Sequence, residues 1–183
     1  NPVGWIALGF LAIVTASFAV KVPGVPVYLS VSDAFFITSG LLFGAAPATL
    51  TIAIDSFIVS LRRGNTVRQL LFNSTSSALA LWCGVQVYHL LSPQHGVIDG
   101  HLLPDTTMLG PLAGLASVYF VANSGLTALA VALSKGIPVV QFWWRQFAVI
   151  SINYFAAASA AFFLIVLVHY FGVAGLGAVV PLL

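Results

Sequence analysis

Asp55 stands in the stretch TIAIDSFIVSLRRG, a mostly apolar run closed by Arg62 and Arg63. An ionised carboxylate in such a helix costs about 3 kcal/mol even on the permissive insertion scale. It must face protein, find amide or hydroxyl donors, or take up a proton. The chemistry open to it is therefore ligand binding, proton sensing or a polar contact between helices. Asn73 in NSTSSALA, Asn123 in NSGLTALA and Asn153 in SINYFAAASAAFF carry the amides that could serve it. The two octads share Asn, Ser and a closing Ala-Leu-Ala, and the third asparagine is also followed by small residues. Small residues let helices approach closely, and Asn, Ser and Thr bond across the contact. The same positions therefore read equally as a packing motif, and eight residues are slender support for an inverted repeat.

His89, His95 and His101 recur every six residues, with Asp99, Asp105 and His169 as further candidate ligands for zinc or copper. That spacing matches no ligand pattern, and the loop is rich in Gly and Pro. It reads as a solvated polar loop, so no metal is assigned. No nucleophile with a base, no phosphate-cradling glycine loop and no paired carboxylates can be assembled, so this span is read as non-enzymatic. Nothing in it names a cofactor. Asp33, in YLSVSDAFF, reads as a helix cap.

The elements that must position these groups follow from composition. Sixty per cent of the 183 residues are hydrophobic and 5% are charged, against about a quarter charged in an ordinary soluble domain. Apolar runs cover 2–20, 25–43, 47–61, 70–91, 111–133 and 147–170. Several reach the roughly 20 residues that a helix needs to cross a bilayer. The alternation of a β-barrel is missing. The expected fold is all-α: a polytopic transmembrane bundle of about six spans plus the start of another, forming one domain over 1–183. Both chain ends read as cut from a longer protein. The first run lacks a basic n-region, unlike a cleaved signal peptide. Cys83 stands alone in an apolar run and reads as a small core residue.

Lysine and arginine mark the cytoplasmic side. Lys21, Arg62, Arg63, Arg68, Lys135 and Arg145 all fall on one face if the chain enters from outside. The run 25–61 must then be a hairpin turning at Gly44-Ala45-Ala46-Pro47. At 15 residues its second arm is about 22 Å long, so whether the hairpin crosses fully is left open. Trp143 and Trp144 beside Arg145 suit the headgroup boundary. SLRRGNTVRQ reads as a topological anchor touching anionic lipid, and a net charge of +2 gives no reason to expect nucleic acid. On this layout Asp55, Asn73, Asn123 and Asn153 lie about 7 to 18 Å from the basic end of their helices. They are expected to line one polar pocket or contact layer.

The order VYLSVSDAFFITSGLLFGAAPATLTIAIDSFIVSLRRG, RQLLFNSTSSALA and VYFVANSGLTALAVALSKG resembles the multi-helix membrane sensor domains at the N-terminus of bacterial signalling proteins. Those proteins end in diguanylate cyclase, HD-type phosphodiesterase or histidine kinase modules. The resemblance covers most of the chain through an LFG-x-x-P-type turn, an arginine pair, LFN and a second membrane Asn. Gly44, Pro47, Arg62, Arg63, Asn73 and Asn123 are the matching positions. It implies an inner-membrane, multi-pass input domain that binds a small molecule or senses the bilayer and regulates a fused cytoplasmic output domain, with a homodimer as a compatible assembly. The LLFG turn is also similar to that of substrate-binding subunits of energy-coupling-factor vitamin transporters, the alternative reading.

Overall fold

The computed structural model describes residues 2–16, 20–21, 28–29, 32–92, 106–172 and 174–175. The fold is all-α, with a strand pair of two residues each as the only β structure among the described residues. The helices are α1 (Pro2–Ala16), α2 (Ser32–Phe43), α3 (Ala45–Arg62), α4 (Val67–Leu91), α5 (Leu109–Lys135), α6 (Val139–Phe147) and α7 (Ser151–Phe171). The strands β1 (Val20–Lys21) and β2 (Tyr28–Leu29) pair antiparallel, Val20 opposite Leu29.

Backbone chemistry sets the helix ends. Gly44, at φ 93°, makes the tight break between α2 and α3, a conformation that a side chain would strain. Pro47 then falls in the first turn of α3, where its missing N–H has no intrahelical partner to lose. Gln69 Oε1 accepts from both the backbone N–H and the hydroxyl of Thr66 at 2.9 and 3.0 Å, fastening the start of α4. Gly136, at φ 63°, ends α5 in a left-handed cap.

Within the apolar run 25–43 the described elements are β2 and then α2, which starts at Ser32. Pro23 and Pro26 disfavour helix over the first part of that run, since each lacks a backbone donor. The resulting α2 is 12 residues, about 18 Å long, and from Ala34 to Leu42 every side chain is buried. It forms the centre of the bundle, against α1, α3, α4 and α7. The most extensive helix contact runs between α4 and α5, followed by α3 with α4. Gly84 lets α4 meet α5 closely: a Cβ there would lie 3.1 Å from the Leu115 carbonyl oxygen.

The outer surface carries many large apolar side chains. On α3, Leu50, Ile54, Phe57 and Leu61 form an exposed stripe while Thr51 and Asp55 are buried. Large apolar side chains are exposed on α1, α4, α5 and α7 as well. Among the described residues, three helical stretches are long and apolar enough to cross a membrane: Ala45–Arg62, Thr106–Lys135 and Val139–Phe171. The long helix α4 carries the polar NSTSS run, which lowers its hydropathy.

Candidate functional site

Two carboxyl groups far apart in sequence share one cavity. Asp33, in the first turn of α2, and Asp55, midway along α3, both line a space of about 160 Å³. Tyr119 and Asn123 from α5 and Ser77 from α4 contribute polar wall, and Phe36, Ile52 and Val59 contribute apolar wall. The guanidinium-bearing Arg63, an exposed residue, stands at its edge.

The two carboxyls are served differently. Asp33 Oδ1 accepts the Tyr119 hydroxyl at 2.8 Å, and Asn153 Nδ2 approaches Oδ2 at 3.5 Å. Its position in the first turn also sets it against the positive end of the α2 dipole. Asp33 is therefore more than the cap expected from YLSVSDAFF, because its bonds reach α5 and α7. Asp55 is 6% exposed, and its Oδ1 is buried with no hydrogen-bond partner among the described residues. A helix interior offers no spare backbone donor to a carboxylate, since its N–H groups are spent on the i→i−4 ladder. Such an oxygen must find its partner from another helix or from a ligand.

The asparagines do not gather around Asp55. Asn123 lines the cavity, and its Nδ2 donates to the Tyr154 hydroxyl at 2.8 Å. Asn153 turns to Asp33. Asn73 lies outside the lining and donates to Ser60 Oγ at 2.9 Å, tying α4 to α3. The expected amide layer is thus divided into a cavity group and a separate interhelical bond, and Asp55 receives none of these amides. The serines that follow the two octad asparagines have structural roles: Ser74 Oγ donates to the Ala53 carbonyl at 2.7 Å, and Ser124 Oγ accepts the Trp143 indole N–H at 2.8 Å.

Tyr119 and Tyr154 were not among the expected site residues. Their rings meet edge to face with centroids 4.9 Å apart. A signal for Tyr119 existed in VYFVANSG: it precedes Asn123 by four residues, hence on the same helix face, and a buried tyrosine hydroxyl needs a partner.

Of the histidines, His89 ends α4 against the Tyr88 ring and His169 ends α7 against Tyr170. His95 and His101, with Asp99 and Asp105, lie outside the described residues. Among the described residues no group of three His, Cys, Asp or Glu side chains comes together to hold a metal ion. Arg62 and Arg63 end α3, Arg68 begins α4, Lys135 ends α5 and Arg145 lies in α6; Lys21 belongs to β1. Gly114 faces Leu91 across the α4–α5 contact, so these helices run antiparallel and bring Arg68 and Lys135 to one end of the pair. Cys83 is a free, part-buried thiol. No family model, curated protein or solved structure matches the chain.

Proposed function

We propose that this chain is a multi-pass, inner-membrane input domain that binds a small ligand in the Asp33–Asp55 cavity and passes the occupancy to a cytoplasmic output domain. The observation carrying the reading is Asp55: a buried carboxyl that lines a cavity in a bundle with large apolar side chains on its outside, and whose Oδ1 has no hydrogen-bond partner among the described residues. An uncompensated buried acceptor costs about 1 to 3 kcal/mol, a cost that ligand binding would offset. The apolar stripes on the helices suit lipid, and the shared end of Arg68 and Lys135 suits a cytoplasmic face. In this reading α1, α3, α4, α5 and α7 cross the bilayer. The central helix α2 begins at the level of Tyr119, inside the bundle, where its N-terminal groups are shielded by protein as a membrane demands.

The vitamin-transport alternative fits less well, because about 160 Å³ falls below the roughly 300–1,000 Å³ of pockets that hold drug-sized ligands. Two measurements decide. The first is the sequence that follows Leu183 in the full-length protein: a signalling module supports the input role, and a chain that stops there sinks it. The second is the output activity of the full-length protein in membranes carrying Ser56→Phe, which fills the cavity. The input role requires that activity to lose its response; an unchanged output together with loss of solute uptake would favour transport.

A further inference from the structure

The cavity's charge and size specify a ligand class, an inference that rests on the ligand-binding reading above. Two carboxyls line the cavity with one guanidinium, that of Arg63 at the edge, while Arg62 acts on Asp55 from the end of the same helix without lining the space. Asp33 already holds the Tyr119 hydroxyl and sits at the α2 N-terminus, so the unanswered acceptor is on Asp55. Near it, Ser56 and Ser77 supply hydroxyls and Asn123, with its Nδ2 turned to Tyr154, supplies a carbonyl acceptor. Three acceptor types and no cationic side chain at the buried end describe a receptor for a hydrogen-bond donor with positive charge. A bare alkali cation would leave most of the volume empty. A cavity of about 150 Å³ holds a benzene-sized molecule, and the lining here includes apolar Phe36, Ile52 and Val59.

We propose that the cavity binds a small organic ammonium: a protonated amine on Asp55, carrying an apolar body of about six carbons against Phe36 and Ile52. The charge is taken from water into protein, and a buried charge without its partner is strongly disfavoured. The amine therefore contributes where an equal-sized neutral or anionic molecule does not.

The test is calorimetric titration of the full-length protein in lipid nanodiscs with benzylamine, benzyl alcohol and benzoate. Benzylamine is expected to bind saturably with a Kd on the order of 1 mM, fitting its few atoms. Benzyl alcohol and benzoate should bind about tenfold more weakly or worse, and Asp55→Asn should weaken benzylamine by a similar factor. Ser56→Phe should abolish binding of all three. Equal affinity for benzylamine and benzyl alcohol in the unaltered protein overturns the proposal without reference to any variant's folding, as does full benzylamine affinity in a folded Asp55→Asn protein. Tight benzoate binding removed by Ser56→Phe would overturn the ammonium assignment and leave the cavity as a ligand site. Absence of binding by any probe would overturn it too, while the output of the Ser56→Phe protein would still judge the sensory reading independently.

Discussion

The α4–α5 seam and the Asp33–Asp55 cavity are both built from polar residues set in apolar helices, yet one is closed and the other open. On these two helices, serine and threonine satisfy themselves: Thr75 of α4 donates to the Leu71 carbonyl at 2.7 Å and Ser124 of α5 to that of Phe120 at 2.6 Å. Hydroxyls can do this because they carry a proton to donate to a carbonyl one turn back. With their polarity absorbed locally, Ala80, Leu81, Ala116 and Ala128 pack out of contact with the exterior. An ionised carboxylate has no such recourse, as it only accepts. Asp33 finds donors on α5 and α7, and Asp55 Oδ1 finds none among the described residues. Polar residue type, more than polar count, separates a helix contact from a candidate site.

Breaking the seam should have the largest effect. Gly84→Leu places a Cβ 3.1 Å from the Leu115 carbonyl oxygen and 3.2 Å from Tyr119 Cβ, so overpacking should cost about 3 kcal/mol. It would be read as a lowered Tm of the detergent-solubilised protein. At the cavity, Tyr119→Phe strips Asp33 of its 2.8 Å donor. The expected loss is about 2 kcal/mol, the range for hydrogen bonds to a charged group, and restoring tyrosine should reverse it. Asp55→Leu sharpens the contrast because its sign is opposite. It removes a buried acceptor without a partner, so the ligand-free protein should gain about 1 kcal/mol while losing benzylamine binding. A drop in Tm on that substitution would show that Asp55 is held by contacts of its own. Smallest of all, Gln69→Ala unfastens the α4 start from Thr66 and should cost about 0.5 kcal/mol, with no change in probe binding.

Much of the helical layout was legible because lipid-length apolar runs and helix-ending glycines leave local marks. The break at Gly44 and the helix ends near Arg62 and Lys135 belong to this class. The start of α2 was harder: apolarity alone does not distinguish the strand Tyr28–Leu29 from the helix that follows. The partners of the four polar candidates were not legible. Asn73 and Asn123 open near-identical octads, yet one bonds Ser60 and the other Tyr154, because the helices that face them differ.

From the chain alone came the apolarity of the helices, the clustering of cations at their ends and the presence of one acceptor-only group inside the stretch around Asp55, all of which are local properties of residue type and order. Tertiary structure alone decided that Asp33 and Asp55, 22 positions apart, line the same cavity, and that Asp33 Oδ1 receives the Tyr119 hydroxyl while Asp55 Oδ1 has no hydrogen-bond partner among the described residues. The reason is geometric: a side chain's partner across a bundle depends on the rotation and depth of two helices at once, and neither sequence carries that relation by itself.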